Sequence, residues 1–288
     1  MATPSKSILV PIDFSRHSLF ALDKSIFLAR LLRADLVFLH VIEEAIFTMA
    51  FTGKLFSRKK YKAEYQAKAK TALQELIKEK IPSGVSVKSI IKFGTVYGSV
   101  IQTAKENNCS MIVMGTHGAS GIQELLAGSN ASKVVKTATC PVITIREKTK
   151  SLGFKKIVLP LDLTRETLQK VKRAVDIANY FDSDLYVISV LMTSDKRVRD
   201  RLNKQLELVK KYMMKQRIDC HTSLLKGDNI VEQTLNFAYD NDANLIMIMT
   251  RQDFKLTELV WGSQAEQIVN HSRIPVMSVP VEKSEGSL

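Results

Sequence analysis

The chain repeats itself, and no other feature narrows the fold as much. SILVPIDFS at residues 7–15 returns as KIVLPLDLT at residues 156–164, so Pro11 and Asp13 match Pro160 and Asp162. The end of each half matches as well. MIVMGTHGASGIQELLAGSNASKVVKTATCPVITI, residues 111–145, aligns without a gap with LIMIMTRQDFKLTELVWGSQAEQIVNHSRIPVMSV, residues 245–279, at a constant offset of 134. A period of about 140 to 150 residues is too long for a solenoid repeat and is the size of a whole domain. The reading is a duplication, with one domain over residues 1–146 and another over 154–283, joined by the charged, glycine-containing stretch at 147–153.

Within each half, apolar runs alternate with helix-like stretches. In the first, residues 8–12, 35–42, 85–91, 111–114 and 141–145 read as strands. Residues 15–32 carry Leu19, Leu22, Ile26, Ala29 and Leu32 at helical spacing. Further helices are expected over about 60–80, closed by Pro82 and Gly84, and over 97–106 and 129–137. The second half repeats the order, with strands near 157–161, 185–191, 219–224, 245–249 and 275–279. Apolar strands separated by helices predict an α/β fold of two tandem open five-stranded parallel sheets with helices on both faces.

Composition bounds the function classes. The 288 residues, 45% of them apolar, suffice for a proper core in each half. No apolar run approaches the roughly 20 residues that a membrane helix needs, so no membrane span is expected. MATPSKSILVPID enters a strand without a signal-peptide apolar region, which makes the cytoplasm the expected location. Cys109, Cys140 and Cys220 show neither a CxxC spacing nor a nearby histidine cluster and read as small apolar fillers.

The formal net charge of +13 is uneven: residues 1–146 hold 20 Lys+Arg against 10 Asp+Glu, and the remainder 22 against 19. Such a balance suits an anionic ligand, nucleic acid or anionic lipid. The basic stretches at 58–62, 196–201 and 210–211 are interrupted by Glu64, Asp200 and Glu207 and lack interleaved aromatics. They read as solvated helix faces, and nucleic acid is not the expected partner. The apolar segment 45–56, with Ile46, Phe47, Met49, Phe51, Leu55 and Phe56, reads as core packing, with a flap over a ligand as the alternative.

In an open parallel sheet, ligands sit outside the carboxyl ends of the strands, where the strand order reverses. Asp13, Val41, Met114 and Gly115 fall at such ends. After them comes G-T-H-G at 115–118, nine residues, and then Gly128-Ser129 at the start of a predicted helix. Glycines let backbone amides approach phosphate oxygens, and a helix N-terminus adds free N–H groups. Ser129 and Asn130 offer further donors. Spacing alone equally fits a glycine-rich surface turn with an ordinary Ser N-cap. Asp13 likewise could cap the turn before Ser15, and His117 could face solvent.

The G-x-x-G-x9-G-S spacing, the Pro-x-Asp after the first strand and the closing Cys-Pro-Val strand together resemble the universal stress protein family, over nearly the whole chain as two copies. The resemblance implies a Rossmann-like fold of the adenine-nucleotide α-hydrolase type that binds ATP, AMP or ADP, with any Mg carried by the nucleotide. Under it, Asp13 would contact the ribose and the Val41 backbone the adenine. Pro11 and Ile12 would shape the base pocket. Gly115, His117, Gly118, Gly128, Ser129 and Asn130 would line the phosphates, beside Met114. It also implies pairing through the last strand of each domain, here 141–145 and 275–279, as an internal pseudo-dimer, with a homodimer as a further step.

The second copy departs at the loop. Met249 and Gln252 replace Gly115 and Gly118, and Asp253 adds a carboxylate, although Asp162 and Gly262-Ser263 remain. Bulk and negative charge there oppose a polyanion, so domain two is expected to bind nucleotide poorly. The chain has no G-x-x-x-x-G-K-[ST] or G-x-G-x-x-G sequence, no S-G-G-x-D-S loop, and no nominable set for phosphoryl transfer or for a protein-held metal. The expected function is that of a nucleotide-responsive regulatory protein acting on an unidentified protein partner. A weak ATPase or nucleotide hydrolase, and a scaffold or carrier of another ligand, are the alternatives.

Overall fold

A computed structural model of the chain describes residues 6–43, 55–116, 129–149, 151–164, 167–250 and 259–280. The chain divides into two compact units, Met1–Lys148 and Thr149–Leu288.

The first unit runs β1 (Ser7–Pro11), α1 (Arg16–Leu32), β2 (Asp35–Ile42), α2 (Leu55–Lys80), β3 (Val87–Phe93), α3 (Val96–Glu106), β4 (Cys109–Gly115), α4 (Ser129–Thr137) and β5 (Val142–Ile145). Its strands lie in the order β3-β2-β1-β4-β5, all parallel. The chain moves outward from β1 to β3, then returns to the other side of β1 for β4 and β5. This makes the β1/β4 boundary the switch point of the sheet. Leu9, Val37, Leu39, Ile112 and Met114 pack on one face with Val100 of α3 and Val134 and Val135 of α4. Ile8, Val10, Leu36 and Phe38 alternate with them and are 0% exposed, so the opposite face is covered too. There α1 lies along β1, β2, β4 and β5, and α2 along β2 and β3.

The buried stripe of α1 differs from the one its leucines suggest. Ser18, Ala21, Leu22, Lys24, Ser25, Leu28 and Ala29 are buried, whereas Leu19, Ile26 and Leu32 are only half-buried. Small residues bring the helix close to the sheet, and the cost of burying hydroxyls is met within the helix: Ser25 Oγ donates to Ala21 O at 2.6 Å and Ser18 Oγ to Ser15 O at 3.0 Å. Helix α2 also begins earlier than its polar run implies, so Leu55 and Phe56 of the apolar segment belong to it. Residues 45–54 of that segment lie outside the described residues.

The second unit runs β6 (Lys156–Pro160), α5 (Thr167–Phe181), β7 (Asp184–Leu191), α6 (Lys196–Lys215), β8 (Cys220–Lys226), α7 (Ile230–Asp240), β9 (Leu245–Thr250), α8 (Leu259–His271) and β10 (Val276–Pro280). Its parallel strands lie in the order β10-β9-β6-β7-β8. The expected α/β class with two five-stranded parallel sheets is what the chain forms.

The duplication reaches into backbone conformation. Arg33 and Asp182, at φ 50° and 52°, are both left-handed and stand 149 residues apart, the offset of the Pro-x-Asp motifs. Asn108 and Asp242, at 47° and 52°, stand apart by the 134 of the later motifs. After Arg33 and Asp182 the next N–H reaches back five residues to close the helix, Ala34 to Ala29 O and Ser183 to Ala178 O, both at 2.9 Å.

Among the described residues of the first unit Lys24 is a fully buried lysine, at 1% exposure, and burial holds its ammonium down at about 8. Below pH 8 both the folded and the unfolded chain carry the proton, and the folded one bears the desolvation cost. Between pH 8 and the unfolded value of 10.5 only the unfolded chain stays protonated, so stability rises with pH across that window. Urea unfolding of the wild type and Lys24→Met is therefore expected to show the wild type gaining on the order of 3 kcal/mol relative to the variant between pH 7 and 11. A pH-independent difference would contradict it.

Candidate functional site

The candidate site of the first unit lies where β1 gives way to α1. Ile12 N–H donates to Leu39 O at 2.8 Å, extending the β1–β2 ladder one residue past the strand. The Ile12 carbonyl accepts from His40 Nδ1–H at 2.7 Å, the tautomer that a carbonyl acceptor requires. Asp13 follows. Its Oδ1 accepts from Ser15 N–H at 2.9 Å, an Asx turn, and Ser15 in turn caps α1 by accepting from Ser18 N–H at 3.2 Å. Asp13 thus does cap its turn, as one of its two readings held.

Between these residues Phe14 stands at φ 64°, a conformation rare for a bulky side chain. Its ring lies 5.2 Å from that of His40. Backbone strain of this kind persists where the surroundings hold it in place, here the cap on one side and the His40 anchor on the other.

Gly115, the last residue of β4, stands across the switch point. A Cβ there would come within 2.8 Å of the backbone carbon and Cβ of His17, in the first turn of α1. The close approach of helix to strand therefore requires a glycine at 115, a packing reason that the sequence pattern did not disclose. His17 itself is held below the ordinary histidine range, mainly because burial disfavours its charged form. Arg16 and Arg146 add to the effect and Asp13 opposes it.

Pro11, Ile12, Asp13, Val41, Met114 and Gly115 thus lie at the carboxyl ends of three adjacent strands, β2, β1 and β4. Ile12 and Met114 are buried, and Pro11, Asp13, Val41 and Gly115 are half-buried. Ser129 is the first residue of α4 and Asn130, half-buried, the second. His117, Gly118 and Gly128 lie outside the described residues, as does the Ser129 side chain. The sequence reading missed His17, His40 and the φ of Phe14. The histidines gave no signal, because each derives its role from a partner far away in the chain.

The equivalent turn of the second unit has different chemistry. Leu161 N–H donates to Ile188 O at 2.8 Å, the same rung as in the first unit. The Leu161 carbonyl accepts from Ser189 Oγ at 3.0 Å, where the first unit uses His40. Asp162 Oδ1 accepts from Thr164 N–H at 3.2 Å, Thr164 Oγ1 at 2.5 Å and the ammonium of Lys170 at 2.9 Å. The ion pair is largely buried, the Lys170 and Asp162 side chains being 5% and 19% exposed. The Asp162 carbonyl accepts from Thr167 Oγ1 at 2.7 Å and Gln205 Nε2 at 2.9 Å. The expected obstruction by Gln252 and Asp253 lies outside the described residues.

No group of three or more acidic, histidine or cysteine side chains suited to a metal ion occurs among the described residues. Burial pushes the Cys140 and Cys220 thiols up to about 11 and raises that of Cys109, so none is a thiolate nucleophile near neutrality. The basic residues of α6 are exposed, and Leu202, Leu206, Val209 and Met213 form its buried stripe. Among the described residues no helix is long and apolar enough to cross a membrane.

Comparison with known proteins agrees with this architecture. The universal stress protein YxiE of Bacillus subtilis is 35% identical over 144 residues, which cover 48% of this chain and 97% of that protein. The universal stress protein MJ0577 of Methanocaldococcus jannaschii is 29% identical over 160 residues, 51% of this chain and 99% of its own. The crystal structure of a universal stress protein from Archaeoglobus fulgidus aligns with 97% of both chains at a TM-score of 0.77 and 20% identity, a likeness of fold. Other universal stress proteins, each matching 44% of this chain at a TM-score of 0.37, were solved in complex with cAMP and, from Archaeoglobus fulgidus, with dAMP. The model of the universal stress protein family matches residues 4–146 and again residues 153–280. The chain belongs to the universal stress protein family and carries two tandem domains of it.

Proposed function

We propose that the first unit binds an adenine nucleotide, ATP foremost and AMP or ADP at the same site, and that its occupancy regulates an encounter with a protein partner. The observation that carries this reading is the meeting of Asp13, Val41 and Gly115 at the carboxyl ends of neighbouring strands around the switch point. Asp13 is half-buried and fixed by its turn, which suits a carboxylate that accepts from ribose hydroxyls. The Val41 backbone runs on past the last β1–β2 rung, which suits recognition of a base edge. Phosphates would lie against the loop from 117 to 128 and the start of α4, with His117, Gly118, Gly128, Ser129 and Asn130 around them and any Mg on the phosphates.

The positive excess of the first half favours a polyanion. Free thiols at all three cysteines fit a reducing compartment, and we place the protein in the cytoplasm. We read the site as regulatory, with weak ATP hydrolysis as the alternative.

Calorimetric titration of the whole chain with ATP and AMP is expected to give one site per chain, with cAMP and dAMP compared in the same way. Asp13→Asn keeps an acceptor for Ser15 N–H but loses the charge, and about a tenfold weakening is expected from the lost charge-assisted bonds to ribose. Asp162→Asn is expected to leave nucleotide affinity unchanged. Absence of heat with every adenine nucleotide would remove the reading, and two equivalent sites would remove its restriction to the first unit.

Hydrolysis is a separate question with its own measurement. Stoichiometric ATP incubated with Mg and excess protein is expected to remain intact over hours. Its conversion to ADP within a single turnover would favour the ATPase reading instead.

A further inference from the structure

The second unit contains a cavity of about 290 Å³ at the carboxyl ends of β6 and β7. Its walls are aliphatic: Ile188 and Val190 of β7, Val198 and Leu202 of α6, and Ile230 of α7. Asp162, Thr193 and Gln264 are its polar residues, and no lysine or arginine lines it among the described residues. Counting by the 149-residue offset, Asp162, Ile188 and Val190 stand where Asp13, Leu39 and Val41 stand in the first unit.

Charge and hydrogen bonding define what this cavity accepts. Lys170 neutralises Asp162, so an added cation meets a carboxylate already paired, and a phosphate meets no free cation on the described walls. Oδ1 of Asp162 is fully engaged, whereas its Oδ2 is buried without a hydrogen-bond partner. Gln264 Oε1 is buried and unpartnered as well. Two orphaned acceptors on residues that line one apolar space are costly unless a donor enters with the ligand. The volume is at the small end for ligand pockets and admits an aromatic molecule of one or two rings.

We infer that the second unit is a receptor for a small neutral aromatic molecule bearing an N–H or O–H group, and not for a phosphorylated one. The apolar body fills the space between β7, α6 and α7, and the donor satisfies Asp162 Oδ2 or Gln264. This site is separate from the first unit's nucleotide site and does not depend on it.

The test uses the full chain in saturating ATP, with indole as the probe and benzothiophene as its isostere lacking the N–H. Calorimetry is expected to give one indole per chain, bound at least about tenfold more tightly than benzothiophene. Val198→Phe, which fills the cavity from the half-exposed start of α6, is expected to weaken indole at least about tenfold while the far-ultraviolet circular dichroism is unchanged. Gln264→Leu removes one acceptor and is expected to shrink the preference for indole several-fold, a second test should Val198→Phe not fold. The inference is overturned if indole does not bind, if it binds no better than benzothiophene, if both variants bind it as the wild type does, or if AMP displaces it. Because Val198→Phe locates the indole in the second unit, a first unit that failed to bind ATP would leave this outcome readable.

Discussion

The last rung between β1 and β2 governs where the chemistry of each unit can sit. Once Ile12 N–H is committed to Leu39 O, the chain leaves the sheet at Asp13. The carbonyl of Ile12 is held as well, so Asp13 emerges in a direction fixed by two bonds rather than swinging on a loose loop. The second unit has the same rung from Leu161 to Ile188 and holds the same carbonyl with Ser189 in place of His40. The backbone arrangement is common to both copies even though the anchoring side chain is not. An imidazole and a hydroxyl are equivalent as donors to a carbonyl. They are not equivalent in what they do next, because only the histidine also presents a ring to Phe14.

Beyond that rung the copies separate for reasons of local energy. In the first unit, a left-handed Phe14 lets Asp13 cap the Ser15 amide, and the carboxylate's other oxygen takes no part in that cap. In the second, Leu163 is not left-handed, and three donors converge on Asp162 Oδ1. Lys170 occupies the helix position where the first unit has Ala21, a small residue facing the sheet. A buried ammonium in place of a methyl is stabilised by a counter-charge, and Asp162 supplies one at 2.9 Å. The same aspartate is thereby converted from a group that could recognise a ligand into one that neutralises the protein's own lysine. Sequence identity at a motif position does not preserve the role when a partner two helical turns away changes.

The strands were legible because buried parallel strands are continuous apolar runs, and their positions in the second half followed from the first. The stripe of α1 was less so. Periodicity weighs leucines heavily, but the helix lies close to β4 and buries Ser18, Ala21 and Ser25 instead. A pattern of small residues looks polar until the sheet it touches is known. Gly115 illustrates the same limit from the other side. The spacing of glycines suggested a phosphate contact, whereas the lack of room for a Cβ beside His17 is a sufficient reason for glycine by itself. Asp162 was visible as a retained residue, and its occupation by Lys170 was not. That requires knowing that the residue eight positions on points back toward the strand end.

Duplication lets these two outcomes coexist in one chain. The second unit carries Met249 and Lys170 where the first has Gly115 and Ala21, while its sheet, caps and left-handed closures at Asp182 and Asp242 still fold it. What the second unit retains is shape: its strands run in the same order as those of the first, and its cavity lies at the carboxyl ends of β6 and β7, the counterparts of β1 and β2. Among the described residues no lysine or arginine lines this cavity, which leaves an apolar space with the acceptors that the shared motif retains. Asp162 Oδ2 is one of them. The chemistry of the second site follows from keeping the backbone of the first and cancelling its charge.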